Sequence, residues 1–244
     1  MPTHADNCLQ DAYLLIAELL LPPSERDRTR IGATLAVVSQ GLPALAEMLR
    51  SFIDQPAAWS EDEYTATLEL APPCPLYTGA YLFDEPSTCR GAGLSGRNGY
   101  MIELRRIYEH FGLLPASREL PDHLPLLVEF LALSLTRQPR QAQPLRRRLL
   151  ERLVMPALPL MRKRLLEYQS VYADLIDGLE AVLRVDLERL KDVPLLEPAD
   201  KRPLAASAGE FLDRTRRPLP VLETRRAVAV AHPQSHRGSG DSSR

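Results

Sequence analysis

The chain has 244 residues, 45% hydrophobic and 25% charged, with a formal net charge of −2. That is the composition of a soluble globular protein able to bury a core, and the near-neutral balance gives no global attraction to nucleic acid or to an anionic membrane. With 22 prolines against 12 glycines, a β-sandwich or barrel rich in glycine turns is disfavoured, and prolines are expected at helix starts, in loops and in a tail.

The elements run as follows. No basic start or small-residue cleavage site precedes Asn7, and the apolar run Tyr13 to Leu21 is too short to span a bilayer, so a cytoplasmic protein without stable membrane insertion is expected. Ser24 with Asp27 forms a weak capping box ahead of the Ile31 to Val38 stretch, and Pro43 suits the first turn of a helix carrying Leu45, Met48 and Leu49. Ser60 with Glu63 is a stronger capping box, opening a helix through about Leu70. Tyr100, Leu104, Ile107, Tyr108 and Phe111 recur at helical spacing, with Gly112 placed to end that helix in a left-handed conformation. Pro121 can open the next one, with Asp122 near its positive end. From His123 to Leu135 this helix is apolar on every face, with Glu129 its only carboxylate, and it belongs in the middle of a bundle. From Leu158 onward Met161, Leu165, Tyr168, Tyr172, Leu175, Leu179 and Val182 form one stripe, which predicts a single long helix.

Ala71 to Pro75, Asp84 to Asn98 and the stretch after about Pro194 read as irregular, with a short helix near Gly209 to Thr215. No sustained alternating strand pattern occurs. The expected fold is all-α, a single-domain helical bundle over residues 1–198, followed by a Pro/Arg/Ser-rich, largely disordered tail over residues 199–244.

Little in the chain suggests catalysis or metal binding. Cys8, Cys74 and Cys89 are odd in number and never form a CxxC pair, which argues against a disulfide framework or a zinc site and fits a reducing compartment. No nucleophile elbow, HExxH or P-loop is present, and Gly91, Gly93 and Gly96 lack the preceding strand that a phosphate cradle needs. His232 and His236 are four apart but separated by Pro233, and Cys89 beside Arg90 reads as a loop cysteine. Between Arg137 and Glu167 nine basic residues face two acidic ones, a strip that reads as a solvated helix face in the absence of interleaved aromatics. The densest polar group is Arg118, Glu119, Asp122 and His123, leading straight into the apolar helix. Two carboxylates and an imidazole at the edge of an apolar groove suit a peptide that is basic and then apolar.

The Glu-Leu-Pro-Asp-His motif at Glu119 to His123, followed by a Leu-rich helix with Glu129 and Phe130, resembles the molybdoenzyme assembly chaperones of the NarJ and TorD types, closest to the nitrate reductase delta-subunit type. Leu76 to Asp84 (LYTGAYLFD) and Gly99 to Gly112 resemble that family's aromatic-rich segment and the helix after it, and the order of elements agrees over about residues 7–190. The Gly-rich insert Gly91 to Gly99 departs from the family pattern. The resemblance implies an all-helical, non-catalytic chaperone without a cofactor of its own. Its partner would be the apo catalytic subunit of a molybdenum oxidoreductase, bound through its N-terminal segment while the molybdenum cofactor is inserted, before export or membrane attachment. By motif position, Glu119, Pro121, Asp122 and His123 would form the polar part of the peptide site and Tyr77, Tyr81, Leu82 and Phe83 its apolar wall. Two other functions remain open: a general helical peptide-binding adaptor, and an enzyme using Cys89 or His123.

Overall fold

In the computed structural model, residues 4–69, 72–84, 95–115, 119–137, 139, 141–196 and 221–222 are described. The first helix, α1 (His4–Leu19), sets the centre of the bundle: Leu9, Ala12, Tyr13, Leu15, Ile16 and Leu19 recur at helical spacing and are all buried. It packs against α2 (Arg28–Gly41), α7 (Leu124–Ser134) and α10 (Tyr172–Arg189), while α3 (Pro43–Ile53) lies on both α2 and α10. Gly178 lets α3 approach closely, because a Cβ there would stand 2.9 Å from Leu49 Cδ2. Between these come α4 (Glu61–Tyr64), continued by a π-helical turn over Thr65–Glu69, α5 (Gly79–Leu82) and α6 (Gly96–His110). Then α8 (Ala142–Arg148) runs through a π turn and a 3-10 turn into α9 (Leu158–Glu167). The fold is all-α, as the sequence predicts. Helix α7 is enclosed all round, with Leu124, Leu126, Leu127, Val128, Phe130 and Leu131 fully buried.

Several local signals act as expected. Pro43 occupies the first turn of α3, and Ser60 Oγ accepts from the Glu63 N–H at 3.2 Å at the start of α4. Gly112, at φ +70°, closes α6: its N–H donates to Glu109 O, and the Leu113 N–H donates to Tyr108 O.

Others are corrected. Asp27, not Ser24, caps α2, its Oδ1 accepting from the Thr29 and Arg30 N–H groups at 3.0 Å. The all-apolar helix starts at Leu124 with Pro125 in its first turn, and Pro121 lies in the turn before it. The long C-terminal helix is two helices. The stripe passes through a break at Gln169, whose φ is +53°. The Gln169 N–H donates to Leu166 O and the Ser170 N–H to Leu165 O, a helix-ending motif that needs no glycine to be legible in hydrogen bonds but carries no sequence signature here. Helices α9 and α10 then pack on each other, with Arg162 Nε donating to Asp177 Oδ1 at 2.5 Å, while Tyr168 is left half-exposed.

The basic strip also differs from a solvated face. Arg146 is buried, its Nε and Nη2 donating to Asp186 Oδ2 at 2.9 and 2.5 Å and its Nη1 to Leu131 O at 2.8 Å and to Ser134 Oγ. Tyr13 donates to the same carboxylate oxygen at 2.8 Å, so this one cluster ties α1, α7, α8 and α10 together. Arg147 donates to Glu151 and to the carbonyls of Lys191 and Val193, and Arg148 to Glu103 and Leu196 O. The cations are thus largely committed within the chain.

A two-residue parallel pairing joins β1 (Leu114–Pro115) to β2 (Val221–Leu222). So short a pairing is made by backbone alone and leaves no side-chain alternation to read. The short helix expected near Gly209 to Thr215, Cys89, the glycines at 91 and 93, and the His232/His236 pair lie outside the described residues.

Candidate functional site

The Glu-Leu-Pro-Asp-His turn is fixed by backbone contacts with the segment before α5. Tyr77 and His123 form an antiparallel bridge, the Leu124 N–H donates to Leu76 O at 2.7 Å, and the Thr78 N–H donates to Asp122 O at 2.9 Å. Tyr108 of α6 donates through its hydroxyl to Pro121 O at 2.7 Å. The turn is therefore held from two sides by groups distant in sequence.

Asp122 lies at the centre of this arrangement and is fully buried. Its Oδ2 accepts from Arg97 Nε at 3.1 Å, Arg97 Nη2 at 3.0 Å and the Gly79 N–H at 3.2 Å. Gly79 is required here, because a Cβ at that position would stand 2.6 Å from Asp122 Oδ2. The carboxylate thus joins α5, α6 and the turn, and it faces inward instead of toward a partner's cations. Pro121 likewise acts through its carbonyl, which is taken up by Tyr108.

Tyr77, Glu119 and His123 do come together at a surface. The Tyr77 hydroxyl donates to Glu119 Oε2 at 2.8 Å, and its ring lies 5.2 Å from the His123 ring. Burial, then the hydrogen bond to Glu119, pushes the Tyr77 hydroxyl up to about 12, so it stays a protonated donor at neutral pH. These residues form one wall of a cleft of about 420 Å³. Leu20, Leu68, Leu76 and Pro125 give it an apolar surface, and Tyr64, whose hydroxyl donates to Leu20 O at 3.2 Å, closes it toward α1. A second carboxylate, Glu69, lines the cleft together with Glu119. The result is an apolar trough with two carboxylates, a donor hydroxyl and an imidazole on its walls.

The remaining aromatic-segment residues turn away. Helix α5 rotates successive side chains by about 100°, so Tyr81 lines a separate hollow with Pro73, Pro75, Leu160, Lys163 and Arg164, where burial raises its hydroxyl pKa. Phe83 instead packs 5.4 Å from Tyr100 and against Gly96, and Leu82 packs on the core. The apolar wall expected from Tyr77, Tyr81, Leu82 and Phe83 is therefore not one surface. The trough is also lined by Leu20, Tyr64, Leu68 and Glu69, which sequence reasoning missed: they come from the end of α1, from α4 and from its π turn, and no local pattern links them to the motif, whereas Leu76 opens the aromatic-rich segment.

Cys74 is buried, and that burial lifts its thiol to about 11, away from the thiolate form. Among the described residues no group of His, Cys, Asp and Glu could hold a metal ion, and no helix is long and apolar enough to cross a membrane.

The fold and site thus define an all-α helical bundle in which the Glu-Leu-Pro-Asp-His turn edges an apolar trough with carboxylates. The chain belongs to the family described as nitrate reductase delta subunit, whose sequence profile matches residues 36–175, more than half of its length. It is 27% identical over 128 residues to the probable nitrate reductase molybdenum cofactor assembly chaperone NarJ of Bacillus subtilis, covering 50% of this chain and 65% of that one. It is 34% identical over 114 residues to the nitrate reductase molybdenum cofactor assembly chaperone NarJ of Escherichia coli K12, covering 46% of this chain and 45% of the relative. The chain thus spans between 45% and 65% of these relatives' length.

Proposed function

We propose that this protein is a non-catalytic assembly chaperone for a molybdenum-dependent nitrate reductase. It would hold the N-terminal segment of the apo catalytic subunit in the trough while the molybdenum cofactor is inserted, before any export or membrane attachment. The observation that carries this reading is the trough itself, with apolar Leu20, Leu68, Leu76 and Pro125 beneath the carboxylates of Glu69 and Glu119. A client segment that is basic and then apolar would set its cations on the carboxylates and its apolar side chains on the leucines. Tyr77, Glu119 and His123 would touch the client, while Pro121 and Asp122 position them, and Tyr81, Leu82 and Phe83 support the turn from behind. Residues 1–198 would form the functional unit and residues 199–244 an appended segment. The protein would work in the cytoplasm, where the apo subunit is made.

The test is calorimetric titration of the full chain with a synthetic peptide copying the N-terminus of the nitrate reductase catalytic subunit from the same genome, with a scrambled peptide as control. The native peptide alone should bind, and Glu119→Gln should weaken it about tenfold, as expected for one hydrogen bond to a charged group. Equal binding of the scrambled peptide would instead mark a general peptide adaptor.

A further inference from the structure

The cations of α9 are not all committed within the chain. Lys163, exposed in the middle of that helix, has no hydrogen bond or ion pair among the described residues. Arg164 beside it donates to Pro73 O at 3.2 Å, to Glu167 Oε2 at 2.9 Å and to the Tyr168 hydroxyl at 3.3 Å, which leaves two of its five N–H groups unused. Both residues line the hollow beside Tyr81, a space of about 360 Å³ in which Glu167 is the carboxylate on the wall, so two cations face one anion. Tyr81 adds another unused donor. Its hydroxyl is shielded from solvent without a hydrogen-bond partner among the described residues, within electrostatic reach of Arg164. A hydroxyl in that state is destabilising, because it has lost water and gained no acceptor. Around these groups the hollow is apolar, with Pro73, Pro75, Ala80 and Leu160. Leu160, Lys163, Arg164 and Glu167 stand three and four residues apart, the spacing of one helix face. Half-exposed Leu160 and Tyr168 extend apolar surface along that face, and the Arg164 guanidinium lies 4.9 Å over the Tyr168 ring.

We propose that this hollow is a second binding site, for a segment of a partner protein that carries one carboxylate between apolar residues. The carboxylate would sit among Lys163, Arg164 and the Tyr81 hydroxyl, with the flanking apolar side chains on Pro73, Pro75 and Leu160. Charge and hydrogen bonding both call for that group: one carboxylate balances the excess cation, and its oxygens supply the acceptors that the three donors lack. A polypeptide is favoured over a free small acid, because a small acid in the hollow would leave the apolar surface of Leu160 and Tyr168 uncovered. The hollow shares no lining residue with the trough, so it stands independently of the client reading.

The experiment titrates the full chain with the peptide acetyl-Leu-Asp-Leu-Pro-Leu-amide, with its Asn counterpart and with sodium acetate, following the amide resonances of Ala80, Tyr81, Lys163 and Arg164. The Asp peptide should shift them and bind about tenfold more tightly than the Asn peptide, the effect of a hydrogen bond to a charged group. Tyr81→Phe should weaken the Asp peptide about tenfold while leaving the melting temperature of the free protein unchanged or higher, since it deletes a hydroxyl that has no partner. Lys163→Gln should weaken it about threefold, as an exposed charge does. No shift at the hollow, or equal binding of the Asn peptide, would overturn the site. Shifts confined to Tyr77 and His123 would put the peptide in the trough and overturn it equally. A lower melting temperature for Tyr81→Phe would show that the hydroxyl is already bonded within the chain and would remove it from the site. Acetate binding as tightly as the Asp peptide would overturn the polypeptide ligand and leave a plain carboxylate site.

Discussion

Asp122 gives the sharpest test of how the motif works. If it held a client's arginine directly, Asp122→Ala would lower affinity and leave the fold untouched. Its geometry predicts the reverse order of effects. The side chain is fully buried and accepts two hydrogen bonds from Arg97 and one from Gly79. Removing one partner of a buried ion pair costs about 3–5 kcal/mol, because the other charge is left uncompensated. Arg97 keeps 22% side-chain exposure and can turn outward, which places the expected loss near the lower end, about 3 kcal/mol. For a protein of this size that is a fall in Tm of about 6–12 °C. Asp122→Asn preserves an acceptor for Gly79 and should lose about 1–2 kcal/mol. A double-mutant cycle with Arg97→Met should show a coupling of about 2 kcal/mol, since the two groups neutralise each other. Thermal unfolding followed by far-UV circular dichroism measures all of these. A fall of less than about 2 °C for Asp122→Ala, with peptide binding abolished, would refute the positioning argument and return Asp122 to the client surface.

Two further predictions concern the frame that carries the trough. Arg146→Ala removes every donor to Asp186 except the Tyr13 hydroxyl and should cost about 3–5 kcal/mol in urea unfolding, whereas Arg146→Met, which fills the volume, should cost less; equal losses would show that packing, not charge, matters there. At Gln169, held at φ +53°, glycine should stabilise by about 0.5–1 kcal/mol and valine should destabilise by more than that, because a β-branched residue resists this conformation. A more stable valine variant would mean that the break between α9 and α10 is not fixed by Gln169.

The contrast between the two helix ends at Gly112 and Gln169 shows where sequence stops being informative. Both close with the same pair of backbone hydrogen bonds. Glycine advertises the left-handed residue, whereas glutamine adopts it only because α9 must fold back onto α10 to bury Met161 and Leu165. Three-and-four spacing of apolar residues passes through such a break undisturbed, since the stripe faces the core on both sides of it.

The sequence by itself determined the all-α class, the buried helix after the Glu-Leu-Pro-Asp-His turn, several helix starts and the family resemblance. All rest on local physics: periodicity, capping groups, proline and glycine preferences, and the short-range order of a motif. Only the tertiary structure decided what each motif residue faces. Adjacent Asp122 and His123 point to different environments, one into an ion pair with Arg97 and the other onto Tyr77 at the trough. The trough's apolar surface joins Leu20 to Leu68 and Leu76, distant in sequence, and Arg146 and Arg148 of the basic strip find their carboxylates 40 or more residues away. Side chains that meet only when helices pack leave no periodic trace, because the packing that pairs them is a property of the whole chain.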